Sequence, residues 1–416
     1  MPIEKGSFPV SFKPTDTARR ERLVRLLAGV TFLIFFQAYM IGPMIPRLTG
    51  VFGISAQTIG LAVPVYLIPY GISTLFFGLL SDRIGRRRIM LASLLAFVLL
   101  TGLTATSQSA SQMIFWRLLT GLGASGVVPL ALALIGEMYP YEQRGRPLGW
   151  LFGAMAGGMA FGSTFGVLLE PAIGWRGVFV AVSAFGAIAL ATLSRYSQLP
   201  REPMATHTLT LRIVFAGYKH LVTIPRGART YIYVLLNSIF HSGVFTWLGL
   251  YFARRYGLGE VGIGLALLGY GVPGFLLGPV IGRTADRWGR RWLIPSGIAI
   301  AAVAAATLIP RWSLVWSAIA VTILSVGYDM TQPLFAGIVT SLDPKRGGQA
   351  MGLNVFALFT GFGIGSLFFG WVLQFGFGTA LASFSAVQFL AATAALALFR
   401  RETPAPRIPS PQPERA

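Results

Sequence analysis

The chain has 416 residues, 54% hydrophobic and 12% charged, with 34 Lys and Arg against 14 Asp and Glu and no cysteine. Soluble domains are about 25% charged, so too few polar groups are present to solvate a surface, and the net charge of +20 is not that of a nucleic-acid-binding face. Without cysteine, disulfides, thiolate-held metals and thiol catalysis are excluded, and 50 glycines suit helices packed closely in lipid.

Residues 1–23 form a polar, basic arm without the apolar core of a cleavable leader. Apolar runs follow at 24–45, 57–80, 88–107, 113–137, 147–169, 175–194, 230–252, 259–281, 291–310, 314–340, 349–373 and 378–399. About 20 helical residues cross a hydrocarbon layer of about 30 Å. Each of the twelve runs therefore predicts a transmembrane helix, and the fold class is all-α integral membrane. Barrel strands would be short and alternating, unlike the continuous run 294–309.

The longest break divides the spans into bundles at 24–194 and 230–400, joined by a linker at 195–229. Within the linker, 209–221 mixes basic and apolar residues and reads equally as a surface-lying helix or a solvated connection. The Pro-rich tail, 401–416, is expected to be disordered. Basic residues set the orientation. With the N-terminus inside, Arg47, Arg176, Arg254, Arg255 and Arg311 fall outside and Arg117 falls within a span. Every other Lys and Arg is cytoplasmic, as are both termini.

The sequence repeats itself. Gly78, Asp82, Arg83, Gly85, Arg86 and Arg87 recur as Gly282, Asp286, Arg287, Gly289, Arg290 and Arg291, all displaced by 204. The same displacement carries Gly60, Tyr66, Pro69 and Pro129 to Gly264, Tyr270, Pro273 and Pro333. At 203, Gly149, Gly158, Gly162 and Ser163 map onto Gly352, Gly361, Gly365 and Ser366. Six spans per unit make the repeats parallel, with a central site expected near the midplane between two pseudo-symmetric bundles.

With its G-x-x-x-D-R-x-G-R-R loop present twice, the chain resembles the major facilitator superfamily of transporters over all twelve spans. That resemblance implies a latch role for Asp82, with Arg83, Arg86 and Arg87 in cytoplasmic ion pairs. A carboxylate near a helix N-terminus is physically favoured, although positive charge that only fixes topology is the plainer reading. Gly149, Gly158, Gly162 and Gly166 fit four glycines of the helix-five signature associated with antiporters, while Ser163 and Val167 depart from it. Such glycines also serve plain close packing. Arg117 with Gly121 and Gly123 matches a further family element in helix four.

Ionisable groups within spans are default functional candidates. Of the acidic residues, Asp329 alone lies deep in a helix, with Ser325 and Gln332 on the same face. Desolvation disfavours a charged carboxyl, which makes proton uptake and release possible there. Asp329 is expected to couple protons or bind a cationic group, the plainer reading being a silent hydrogen-bonded carboxyl. Arg117 is expected to meet a substrate anion or tune Asp329, or else to snorkel to the interface. Candidate cavity-lining residues are Gln37, Tyr66, Tyr70, Asn237, His241, Tyr270, Ser325, Gln332 and Asn354. His241 and Gln37 are repeat partners.

There is no H-E-x-x-H and no phosphate-binding loop, so no enzyme, metal or cofactor is expected. The reading is a monomeric secondary transporter whose partners are a small organic substrate, protons and membrane lipid. Proton-coupled efflux is the expected mode, with metabolite uptake or a non-transporting receptor as alternatives. The absence of cysteine and of N-x-[ST] fits a bacterial inner membrane.

Overall fold

The computed structural model describes residues 14–139, 145–196, 211–273, 276, 284, 289–343 and 346–402. All regular structure among them is helical. Span one is Pro14–Tyr39, continuing after a break at Met40 as Ile41–Phe52. Span two is Ala56–Gly60 followed, across a turn at 61–63, by Pro64–Ile84, where Pro64 has no N–H to continue the helical ladder. Span three is Arg86–Ala105, and span four is Ala110–Ala124 with Val127–Met138.

Spans five and six run without a loop as Gly145–Ser194, divided at Gly174. That residue has φ 69° and ψ 160°, a geometry only glycine reaches cheaply. Leu211–Thr223 is the linker helix, and span seven is Pro225–Thr246 with Leu248–Tyr256. Span eight opens as Glu260–Ala266, turns at 267–271 and re-enters helix at Val272. Spans nine to twelve are Arg290–Thr307, Leu314–Thr340, Gly347–Val372 and Phe377–Leu398.

Among the described residues, nine helical stretches are long and apolar enough to cross a membrane, and Gly149–Ser194 counts as one although it contains two crossings. Span eight is not among them because most of it beyond Pro273 lies outside the described residues, and span nine because it opens on Arg290 and Arg291. Two boundaries differ from the sequence reading. Helix already begins at Pro14 within the expected arm, and span seven begins at Pro225 within the expected linker. Large apolar side chains such as Ile188, Val315 and Leu390 face outward, as they must where lipid is the solvent.

The repeat survives in the geometry. Gly53 and Gly257 both end helices in the left-handed region, and Ser109 and Ser313 both cap helix starts, each pair displaced by 204. Gly85 and Gly289 turn the chain with φ 103° and 79°, which explains the glycine of the doubled loop. Gly158 and Gly162 of span five lie against the carbonyls of Phe32 and Phe36 in span one. Their counterparts Gly361 and Gly365 lie against those of Leu235 and Ile239 in span seven, at the same displacement of 203.

Three pairs of spans join the halves through small residues. Gly42 meets Thr246 and Gly249 meets Pro43 between spans one and seven. Gly71 meets Thr360 and Gly363 meets Ile68 between spans two and eleven, and Gly264 and Gly271 meet Leu168 and Ala160 between spans eight and five. At one end Arg47 binds Glu170 at 2.8 Å and lies 3.9 Å from Glu260 of the other half. At the opposite end the linker helix rests on span two, where Tyr218 donates to the Leu75 carbonyl at 3.3 Å and Phe215 meets Phe76 edge-on.

Candidate functional site

Asp329 lies midway along span ten and is partly buried. Ser325, one turn earlier, donates its hydroxyl hydrogen to Asp329 Oδ2 at 2.8 Å. The same Ser325 oxygen accepts the backbone N–H of Gly271 at 2.8 Å. Gly271 has φ 77° and sits where span eight leaves helical geometry. In an unbroken helix its N–H would bond to the carbonyl of Leu267. The break frees both groups. Ser325 of span ten takes the N–H, while the Leu267 carbonyl accepts from Tyr270 N–H at 2.9 Å and from the Thr164 hydroxyl of span five at 3.3 Å.

An aromatic cluster gathers beside this part of span ten. The His241 ring of span seven stacks on Tyr328 with centroids 3.6 Å apart, and His241 Nε2 shares a hydrogen bond with the Tyr270 hydroxyl. Tyr39 of span one crosses the interface to Phe245 and, edge-on, to Phe362 at 5.9 Å. Tyr39, Tyr270 and Tyr328 lie within electrostatic reach of Asp329. The arrangement places an ionisable carboxyl within electrostatic reach of phenols from spans one, eight and ten, and joins it through Ser325 to a helix break.

Arg117 is organised differently. It is fully buried and does not reach the interface. Its Nε donates to the Ala62 carbonyl at 3.1 Å, Nη1 to that of Gln37 at 3.2 Å, and Nη2 to that of Ala38 at 3.5 Å. These carbonyls flank the breaks in spans one and two, where helical partners are missing. The guanidinium also covers the Tyr66 ring at 4.2 Å. Arg117 thus braces two broken helices, and its fork is committed to backbone instead of being directed at an anion.

The remaining candidates separate into groups. Tyr66 and Tyr70 stack on one another, and Tyr70 stacks on Phe359 of span eleven at 4.2 Å. The hydroxyls of both tyrosines and the side-chain amide of Gln37 are buried without a hydrogen-bond partner among the described residues. Gln332 Nε2 and Asn354 Oδ1 share that condition. Asn237 is instead consumed in a network, donating to Thr331 at 2.8 Å and accepting from Gln388 at 2.8 Å, which ties spans seven, ten and twelve together.

Gly158, Gly162 and Gly166 all pack against span one, whereas Gly149 has open space around it. The doubled loop is only partly visible. Gly78, Asp82 and Arg83 are described as helix backbone alone, and Gly282, Asp286 and Arg287 lie outside the described residues. Arg87 donates to the Ser194 carbonyl at the end of span six, and the N–H groups of Arg290 and Arg291 bond to the Glu402 carbonyl.

Tyr39, Tyr328, Thr164 and Gly271 went unnoticed in the sequence, although Gly269, Gly271 and Pro273 inside one apolar run are a break signal. Glu402, assigned to the disordered tail, is buried. Its carboxylate binds Arg226 through two bonds of 2.8 Å and also binds Arg229. The rest of the tail, from 403, lies outside the described residues.

Known proteins with the same organisation give the context. An uncharacterized MFS-type transporter, YceJ of Bacillus subtilis (strain 168), is 27% identical over 377 residues, covering 88% of this chain and 93% of its own. A chloramphenicol resistance protein of Pseudomonas aeruginosa is 26% identical over 280 residues, covering 66% and 65%. The crystal structure of a D-xylose-proton symporter superposes with a TM-score of 0.74 at 18% identity, covering 91% of this chain and 97% of that one. The model of the Major Facilitator Superfamily matches residues 27–347 and 256–416. The chain belongs to the major facilitator superfamily and is a multi-pass membrane protein of that transporter family.

Proposed function

We propose that the protein is a proton-coupled secondary transporter that exports a small organic compound by alternating access between its two halves. One observation carries this reading: a single mid-span carboxyl, Asp329, hydrogen-bonded to a hydroxyl that also holds the break in span eight. Buried charge in a span is expensive, and a carboxyl that loses its charge by taking a proton avoids that expense. In the cycle Asp329 exchanges a proton for substrate beside the aromatic cluster. The orphan groups of Gln37, Tyr66 and Tyr70 are further places for substrate hydrogen bonds. Arg117 holds the geometry of spans one and two. The basic loops face the cytoplasm, and the Arg47 end faces outward.

Export is the favoured direction because similar chains include the chloramphenicol resistance protein and a multidrug resistance protein of Bacillus subtilis (strain 168). Chloramphenicol is accordingly the first probe. In everted membrane vesicles an imposed inside-acid gradient should drive accumulation of labelled chloramphenicol, and Asp329→Asn should abolish the gradient-driven part while leaving expression intact. Accumulation only under the opposite gradient would establish symport instead. Gradient-driven flux unchanged in Asp329→Asn would remove Asp329 from the mechanism.

A further inference from the structure

Ser325 has one hydroxyl hydrogen and gives it to Asp329, so its oxygen is free to accept the N–H of Gly271. The Gly271 N–H has lost its helical partner at the break, and the carbonyl it left behind is held by Thr164 across the interface between halves. Gly271 itself lies against Ala160 of span five, at a φ of 77° that other residues rarely adopt. A continuous chain of contacts therefore runs from Asp329 through Ser325 and the turn at 267–271 to span five.

The repeat sharpens the point. The turn at 61–63 in span two corresponds, at the displacement of 204, to 265–267 and so meets the span-eight break at 267–271 at its first residue. It is held by Arg117, whose charge is permanent. At the same displacement Arg117 corresponds to Val321, and Gly121 and Ser125 correspond to Ser325 and Asp329. One half closes its break with a fixed charge and the other with a titratable one.

Resting on the proton-coupling role proposed for Asp329, we infer that Ser325 is the positioning residue that transmits the charge state of Asp329 to the span-eight break and so to the interface with span five. An ionised Asp329 accepts the Ser325 hydrogen strongly, because hydrogen bonds to charged acceptors are roughly twice as strong as neutral ones. This holds the oxygen toward Gly271. Protonation weakens that hold, and the hydroxyl is free to rotate away from the break. Among the described residues, the titratable groups near Asp329 include Tyr39 from span one, Tyr270 from span eight and Tyr328 from its own span, with His241 of span seven stacked on Tyr328.

The absence of cysteine makes the test direct. Spin labels at Ser111→Cys, exposed in the first turn of span four, and at Trp312→Cys, exposed in the loop before span ten of the other half, report the distance between halves in reconstituted full-length protein as pH is varied without substrate. Protonation of Asp329 is followed in parallel by its infrared carboxyl band. The labelled parent should shift between distance populations as Asp329 titrates. Ser325→Ala should reduce the shift at least tenfold while the carboxyl band still titrates, Ser325→Thr should restore it, and Thr164→Val should weaken it from the other end of the break. A full shift in Ser325→Ala with Asp329 still titrating overturns the role of Ser325 alone. A full shift in Asp329→Asn overturns the coupling reading and this inference with it, as does a parent that does not shift. Should Ser325→Ala not reconstitute, the Thr164→Val and Ser325→Thr pair decides, because equal shifts in both contradict the transmission path.

Discussion

At the scale of single residues, two ionisable groups that looked alike in the sequence have different surroundings. Asp329 stood out because so few acidic residues exist and the others fall at helix ends, loops or tails. Arg117 was equally conspicuous, but its role depends on carbonyls freed by breaks in spans one and two, which no local pattern around Arg117 reveals. Lysine is a point charge and cannot fork to carbonyls on two spans. Arg117→Lys should therefore lower the melting temperature in detergent, at about 1–3 kcal/mol for each backbone group left without a partner. An unchanged melting curve would mean that the brace is dispensable. Asn237 teaches the same lesson in reverse. A polar residue in a span suggested a cavity, yet both of its polar atoms are occupied by Thr331 and Gln388.

At the scale of elements, the glycines of span five were legible as a pattern, and the structure supplies what the pattern is for. Gly162 lies against the Phe36 backbone, so a side chain there must part spans one and five, while Gly149 has nothing within reach. Gly162→Val should destabilise the protein by about 1–3 kcal/mol through overpacking. Gly149→Ala should be neutral or stabilising by about 0.5–1 kcal/mol, since alanine is the better helix former. Thermal unfolding of the two variants side by side checks both, and equal effects would contradict the packing account.

The linker-side end of the second half is tied together by Glu402, which the Pro-rich tail concealed. Its carbonyl takes the N–H groups of Arg290 and Arg291, and its carboxylate joins Arg226 and Arg229. Burial pushes this carboxyl up, but the hydrogen bonds and charges of the two arginines outweigh it and hold the group below the usual range. A depressed carboxyl stabilises above its unfolded value of about 4.3 and loses that contribution as pH falls through the folded value. Glu402→Gln should therefore melt earlier at pH 7 by about 1–2 kcal/mol. Its gap from the parent should close only below roughly pH 4. A gap already closed at pH 6 would mean that the ion pairs contribute nothing.

At the scale of the whole molecule, the doubled loop and the displaced glycines made the architecture readable, because repeated packing demands repeated small residues. Contacts between spans five and one recur between spans eleven and seven at the same displacement. The interruptions were harder to read. Breaks in spans one, two and eight depend on tertiary partners such as Arg117, Thr164 and Ser325 that take over the freed backbone groups. They are also where the two halves diverge, with a permanent charge on one side and a carboxyl on the other. That asymmetry ties transport to protons in the present account.

Proton movement across liposomes containing an internal pH-sensitive dye, measured on addition of chloramphenicol, tests the claim most directly. Purified protein should move protons against the direction of the probe, and Asp329→Asn should still bind the probe while moving none. Proton movement of the same size in Asp329→Asn would contradict the account.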